Sequence, residues 1–209
     1  MGIHERKERE KERRRQQIMV AAKRVFSLSG FSKSTMEDIA REAELSPGTI
    51  YLYFKNKDEL YASLSVRILQ YLSIRLKHVT ENQDIQPDQY ITALKQAMLD
   101  VYDFDSLIVI NLFQLQSSET LKNLTPELLE EIVDLSRSSL AAMANIFQIG
   151  IKKGVFIDQH PFALADTLWA LFSGIILWEE SKKIINADKD YLKPTLDLAF
   201  EIFSRGIAR

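Results

Sequence analysis

The chain has 209 residues, of which 46% are hydrophobic, and a net charge of −2. That length and apolar content allow one or two compact domains with buried cores. The absence of cysteine excludes disulfides, thiolate metal sites and cysteine nucleophiles, and the three histidines are too far apart in sequence to form a ligand pattern. We therefore expect no metal or other cofactor. A helical enzyme is disfavoured, because adjacent acids such as Glu130 and Glu131 face different sides of a helix.

Charge is distributed unevenly along the chain. Residues 1–60 contain 13 Lys and Arg against 10 Asp and Glu, whereas residues 61–209 contain 14 against 19. A basic head on an acidic body predicts a polyanionic partner at one end and argues against an anionic membrane surface. The charged N-terminal segment has no apolar leader, and Asp166 interrupts the apolar stretch from Phe162 to Trp178. The sequence thus predicts a soluble, cytoplasmic protein.

Helical spacing of apolar residues and a low content of Gly and Pro predict an all-α fold of about nine helices. Residues 2–15 carry mixed charges. They fit a solvated helix extension or a disordered tail, or alternatively an arm that contacts phosphates or the minor groove. The first helix is predicted to end near Ser29, with Ile18, Ala22 and Phe26 on its apolar face and Gly30 as a left-handed cap.

Residues 35–57 predict two short helices joined by a tight turn, followed by the start of a third. Thr35 and Asn56 each precede an acid by three residues, which is the spacing of a capping box. Ser46 is predicted to cap the next helix, with Pro47 at its first position, where proline is favoured.

The middle helix of this segment is too short to form a core of its own. Ile50 and Phe54, four residues apart, are predicted to face inward, which leaves Thr49, Tyr51 and Tyr53 exposed. A short helix with hydroxyl groups on one side and lysines at its flanks suits insertion into a DNA groove.

These residues carry a family resemblance. The order Thr35-x-x-Asp38-Ile39-Ala40-x-x-Ala43, followed by Ser46-Pro47-Gly48-Thr49-x-Tyr51-x-Tyr53-Phe54-x-x-Lys57-x-x-Leu60, closely resembles the DNA-binding domain of the TetR family of bacterial transcriptional repressors. The resemblance covers about residues 12–61 without gaps. It implies a three-helix, helix-turn-helix DNA-binding domain at 1–55 and a helical effector-binding and dimerisation domain at 56–209, with helix 56–79 bridging the two.

The resemblance implies a DNA-binding role for each matching residue. Hydroxyl groups of Thr35, Tyr51 and Tyr53 would bond phosphates, and the amides around Gly48 would approach phosphates and base edges. Lys57 would meet a phosphate at the start of the fourth helix. The predicted set is Lys33, Thr35, Ser46, Pro47, Gly48, Thr49, Tyr51, Leu52, Tyr53, Lys55 and Lys57, in which Lys33 and Lys55 rest on charge alone. Structural alternatives stay open: Thr35 and Ser46 cap helices with or without DNA, one tyrosine can pack in the core, and Lys57 can be a solvated lysine.

Two positions depart from the family pattern. Glu44 stands where the turn usually has glycine, and a non-glycine residue in a left-handed turn costs on the order of 1 kcal/mol. This predicts a slightly different turn. Leu52 stands where the family often has an aromatic residue, which leaves the base preference open.

After a polar break at 83–87, the spacing predicts helices at about 87–103, 105–116, 126–153, 161–181 and 189–207. Lys152 and Lys153 followed by Gly154 form a helix C-terminal signature.

A homodimer on a pseudo-palindromic operator in double-stranded DNA is expected, because one recognition helix reads too few base pairs. Residues 162–178 are apolar almost all round, and Ala170 and Gly174 would admit a closely packed helix. The alternative is that these helices form only the monomer core. The predicted interface is Leu164, Leu168, Leu171, Ile175, Trp178, Leu192, Leu196, Ala199, Phe200 and Phe203.

The resemblance also implies an effector pocket in the middle helices. The predicted lining is Phe104, Leu107, Ile108, Asn111, Leu112, Gln114, Leu115, Met143, Phe147, Ile151, Trp169 and Phe172. Few charges fall in these apolar stripes, so the expected effector is small and hydrophobic, and it would release a repressor from its operator. The alternative is a DNA-binding regulator with no small-molecule ligand.

Overall fold

The computed structural model describes residues 2–82, 84–116, 119–183 and 190–209, with the backbone alone for Ile3, residues 114–116 and Glu119. Within these ranges the chain forms nine α-helices, which confirms the predicted fold class. They are α1 Ile3–Ser29, α2 Met36–Glu42, α3 Pro47–Tyr51, α4 Lys57–Glu81, α5 Tyr90–Phe104, α6 Ser106–Gln116, α7 Pro126–Lys152, α8 Pro161–Lys183 and α9 Leu192–Ile207. Two 3₁₀ turns, Pro87–Gln89 and Glu119–Asn123, precede α5 and α7.

The first three helices form a small core through the residues that the spacing selected. Ile18, Ala22 and Phe26 of α1 are buried, as are Ile39 of α2 and Ile50 of α3. Gly30 ends α1 with φ 74° and ψ 159°, a conformation that is essentially restricted to glycine. Gly30 therefore ends the helix with a positive φ, but its ψ angle is extended, so the predicted left-handed cap conformation is wrong.

Helix α4 belongs to both parts of the molecule. It packs against α1 on one side and against α5, α6 and α7 on the other. Its predicted seam is buried along the whole length: Leu60, Leu64, Ile68, Leu72, Leu76 and Val79. The C-terminal helices and the first three helices are therefore connected by one uninterrupted helix, α4.

The α7–α8 connection is fixed at both ends. Gly154 has φ 74°, and the N–H of Val155 donates to the carbonyl of Gly150 at 3.0 Å, which closes a Schellman cap and confirms the predicted C-terminal signature. The N–H of Ile157 then donates to the carbonyl of Ile207 at 2.8 Å. The end of α9 is thereby tied to the start of the segment that leads into α8.

Helix α8 is more apolar than its place in the protomer requires. Its length and composition would allow a membrane span, and only 28% of its most apolar 18-residue window is buried. A single helix of this kind is weak evidence for a membrane protein. Part of its apolar surface, at Phe162 and Trp178, is exposed on the protomer.

Candidate nucleic-acid interface

Helix α2 begins with a complete capping box. The N–H of Asp38 donates to Oγ1 of Thr35 at 3.1 Å, and the Thr35 N–H donates back to Oδ2 of Asp38 at 3.1 Å. The Thr35 hydroxyl also donates to that carboxylate at 2.7 Å. These bonds, assisted by Arg41 at 3.3 Å, hold the pKa of Asp38 below its usual value. Thr35 remains exposed while it caps.

The turn between α2 and α3 has the geometry that usually selects glycine. Glu44 adopts φ 55°, in the left-handed region. The N–H of Leu45 donates to the carbonyl of Ala40 at 2.9 Å and the Glu44 N–H to that of Arg41 at 3.1 Å, which together form a Schellman motif. Glu44 therefore accepts the left-handed conformation, at a cost of about 1 kcal/mol.

Ser46 starts α3 and confirms the predicted cap. Its Oγ accepts from the Thr49 N–H at 3.1 Å and lies 2.8 Å from the Thr49 hydroxyl. Pro47 occupies the first helical position. A Cβ added to Gly48 would meet only the Ser46 Oγ, at 3.9 Å. The fold of this domain therefore gives no steric reason for glycine at position 48.

Helix α3 separates an inner from an outer face. Ile50 and Phe54 are buried, as predicted, whereas Tyr51 is 48% and Leu52 82% exposed. Tyr53 is half-buried against the core, so it is the tyrosine for which the packing alternative holds. The remaining predicted DNA-binding residues on this side are exposed or half-exposed: Lys33, Ser46, Pro47, Gly48, Thr49 and Lys55.

Lys57 has an internal role that the sequence did not indicate. Its Nζ donates to the carbonyls of Phe31 at 2.7 Å and Ser34 at 2.8 Å and lies 4.4 Å from the Phe31 ring centroid. It therefore joins the start of α4 to the loop between α1 and α2. Because an ammonium group has three donors, one N–H is left for a phosphate.

Two further residues fix the position of the helix-turn-helix, and sequence reasoning missed both. Gln17 Nε2 donates to the carbonyl of Ala43 at 2.8 Å, at the end of α2. The Arg15 guanidinium donates to the hydroxyl of Ser63 at 3.1 Å and lies 4.5 Å from the ring centroid of Phe54. Their only sequence signal is their position one turn before the apolar face of α1. N-terminal to them, α1 continues as an exposed helix back to Ile3, which agrees with the helical alternative for residues 2–15.

The predicted effector residues are divided between different places. Met143 and Trp169 line a cavity of about 280 Å³ between α4, α7 and α8. Phe104 and Ile108 line a separate cleft beside α1. Of the others, Asn111, Leu112, Phe147 and Phe172 are buried and Leu107 and Ile151 half-buried, while the side chains of Gln114 and Leu115 lie outside the described residues.

The cavity between α4, α7 and α8 contains an unsatisfied polar group. Its walls include Leu69, Leu72 and Leu140. The hydroxyl of Ser139 faces it, only 3% exposed and with no hydrogen-bond partner among the described residues. Ser139 occupies the same buried stripe of α7 as Ile132. A hydroxyl residue in an apolar stripe was the signal that could have identified it.

The interface prediction needs a correction. Six of its ten side chains belong to the protomer core and cannot form a surface for a partner: Leu164, Leu168, Leu192, Leu196, Phe200 and Phe203. Of the remainder, Leu171, Ile175 and Ala199 are half-buried and Trp178 is exposed. These two helices are apolar on two sides, so spacing alone did not distinguish the inner side from the outer.

The outer side of α8 and α9 has other apolar residues, which the predicted interface set did not include. Phe162, Leu198 and Ile202 are exposed, like Trp178. Gly174 of α8 is also exposed, and a Cβ added to it would meet nothing within 4 Å. We call this surface the outer face of α8 and α9.

Comparison with known proteins agrees with this architecture. Residues 18–64 match the family described as bacterial regulatory proteins, tetR family. The chain is 25% identical over 189 residues to the uncharacterized HTH-type transcriptional regulator YhgD of Bacillus subtilis (strain 168), covering 88% of this chain and 93% of the relative.

Two solved structures share the fold. The TetR family transcriptional regulator PfmR from Thermus thermophilus superposes with a TM-score of 0.72 at 19% identity, covering 92% of this chain and 99% of that one. The transcriptional regulator FadR from Bacillus subtilis, in complex with stearoyl-CoA, gives a TM-score of 0.70 at 20% identity, covering 92% and 98%. The family match includes the capped helix-turn-helix at residues 36–51, and about nine-tenths of the chain shares the fold of these solved structures. The N-terminal part of this chain, residues 18–64, is therefore a DNA-binding domain of the tetR family of bacterial regulatory proteins.

Proposed function

We propose that this regulator acts in the cytoplasm as a homodimeric repressor, which binds a pseudo-palindromic operator and is released by a small lipophilic effector. The observation that carries the proposal is the outward side of α3. Ser46, Pro47 and Gly48 are exposed there, beside the exposed ring of Tyr51. Short side chains and the first-turn N–H of Gly48 can approach a phosphate closely, and a tyrosine hydroxyl can bond one.

The outer face of α8 and α9 supports a dimer. Exposed Trp178 and Ile202 carry apolar surface that a lone protomer leaves in water. Gly174 lies within a helix, where glycine is about 1 kcal/mol less favourable than alanine, and the protomer gives it no contact that excludes a Cβ. A second copy packed across this glycine would explain both features, and two-fold symmetry then presents two recognition helices to one operator.

The cavity beside Ser139 supports an effector. An unbonded buried hydroxyl costs about 1–3 kcal/mol, which a ligand with one polar group would offset. Most of the surrounding wall consists of leucine, methionine and tryptophan side chains, suited to an apolar body, and Ser136, Arg137 and Asp166 also line the cavity. The structurally similar FadR binds stearoyl-CoA, so the fold accommodates an acyl compound. These observations favour an effector-controlled repressor over a regulator with no small-molecule ligand.

Gly48→Ala tests the DNA-binding part. We expect unchanged or slightly raised thermal stability, because an added Cβ has open space and alanine favours helix. Operator affinity should fall about tenfold or more if the backbone at position 48 approaches a phosphate. The operator is first selected from a random duplex pool, and affinity is then measured by fluorescence anisotropy. Wild-type affinity in the alanine variant would show that α3 does not approach DNA through this residue.

1-Octanol, a neutral amphiphile, tests the effector part. It should raise the melting temperature of the wild-type protein and weaken the operator complex. Ser139→Leu should remove both responses by filling the cavity, and it should stabilise the free protein because the unbonded hydroxyl disappears. A response that persists in Ser139→Leu would mean that 1-octanol binds outside the cavity beside Ser139. No response in either protein would favour the regulator without a ligand.

A further inference from the structure

A second cleft lies between α1 of the DNA-binding domain and helices α4 and α6 of the C-terminal body. Its volume is about 570 Å³, twice that of the cavity beside Ser139, and the two share no lining residue. We call it the α1 cleft. It is large enough for a drug-sized molecule.

The walls of the α1 cleft gather exposed apolar side chains from two helices. Val20 and Leu28 of α1 are 47% and 86% exposed, and Phe104 at the end of α5 is 54% exposed. Single exposed apolar residues need no explanation, but three that face one concavity mark a binding surface. The apolar part of a ligand would therefore lie along α1, against the Phe104 ring.

Among the charged residues of the cleft, one cationic side chain is not paired with a carboxylate. Lys23 Nζ pairs with Oδ2 of Asp105 at 2.5 Å, and Arg24 pairs with Glu42 at 3.1 Å. Arg67 on α4 also lines the cleft, and it has no carboxylate partner within the described ranges. The cleft thus holds three cations and two anions, an excess of one positive charge located on a guanidinium group.

We propose that the α1 cleft binds an amphipathic monocarboxylate, with its carboxylate on Arg67 and its apolar chain between α1 and Phe104. A guanidinium group presents a pair of N–H donors that matches the two oxygens of a carboxylate. The nearby carboxylates of Glu42 and Asp105 disfavour ligands with several negative charges, such as phosphate esters. The site differs from the effector cavity in position and in charge, and its occupancy does not depend on DNA binding.

Isothermal titration of the full-length protein with decanoate, without DNA, tests the site. We expect one decanoate per protomer. Arg67→Gln should weaken binding about tenfold, because it removes a charge-assisted hydrogen bond. In the Ser139→Leu protein, where the other cavity is filled, 1-decanol should bind no better than decanoate binds after Arg67→Gln is added. Lys77→Gln removes an exposed cation from the same helix outside the cleft, and it should leave the affinity unchanged.

Arg137→Gln distinguishes the two cavities, because Arg137 lines the one beside Ser139. Decanoate affinity that falls in Arg137→Gln and not in Arg67→Gln would overturn the proposal by moving the ligand to the other cavity. Absence of decanoate binding, or equal binding of decanoate and 1-decanol by the Ser139→Leu protein, would overturn it as well. Operator binding by each variant is measured separately, so that a failure of this site is not confused with a failure of DNA recognition.

Discussion

Replacing Ile202 with aspartate is expected to convert the dimer into monomers and to lower operator affinity by at least about a hundredfold. Ile202 is 62% exposed on α9, so the substitution disturbs little inside the protomer. Two-fold symmetry would bring the new carboxylate into the interface twice, and an unpaired charge buried there costs several kcal/mol. A monomer contacts one half-site only, so its affinity for the operator approaches that for non-specific DNA. Non-specific affinity is typically weaker than specific affinity by about 10³-fold or more.

Ile74→Asp provides the matched control for this experiment. Ile74 is the same residue type, lies on a long helix and is 64% exposed, but it belongs to α4 and not to the outer face of α8 and α9. We expect this variant to remain dimeric and to bind the operator normally. Molar mass from light scattering and affinity from anisotropy are measured on both variants. Monomers from Ile74→Asp and dimers from Ile202→Asp would place the interface elsewhere.

The interface shows what apolar spacing can and cannot reveal. The excess of apolar residues in α8 and α9 predicts a second packing surface, because a helix that only covers a core needs one apolar stripe, and several of these residues are exposed on the protomer. Spacing did not tell which stripe faces inward. Leu196 and Ile202 are equally apolar and six residues apart, yet one is fully buried and the other exposed. That distinction depends on how α8 and α9 pack against α5 and α7, which is not a property of either helix.

The helix-turn-helix was predictable because its determinants are local. The caps at Thr35, Ser46 and Asn56 each involve a residue three positions away, and all three form as predicted. The inward direction of Ile50 and Phe54 follows from helix geometry alone. The cavity beside Ser139 is different, since α4 is far in sequence from α7 and α8, which complete its walls, and its volume depends on how closely these helices pack.

Lys57 has one role that the sequence predicts and another that depends on the tertiary structure. Its replacement is expected to have the second large effect. The resemblance predicts a phosphate contact for this residue, and the structure adds two carbonyl acceptors in the loop between α1 and α2, 26 and 23 residues earlier in the chain. Lys57→Met keeps the apolar stem over Phe31 but removes two charge-assisted hydrogen bonds from a half-buried site. We expect it to lower the free energy of unfolding by about 2 kcal/mol and the melting temperature by roughly 5 °C.

Lys55→Met separates the two roles of Lys57. Lys55 is exposed two residues earlier, and its predicted role rests on charge alone. Its replacement should leave the melting temperature unchanged and reduce the salt dependence of operator binding by about one phosphate contact. Lys57→Met should change both quantities, with affinity measured well below its melting temperature. A variant that loses stability but keeps wild-type affinity would assign Lys57 to the fold alone, whereas lost affinity at unchanged stability would mean that the two carbonyl bonds contribute little. Both changes together would mean that one ammonium group holds the α1–α2 loop and also contacts the DNA backbone. Removal of this group would then both destabilise the loop and lower the affinity for the operator.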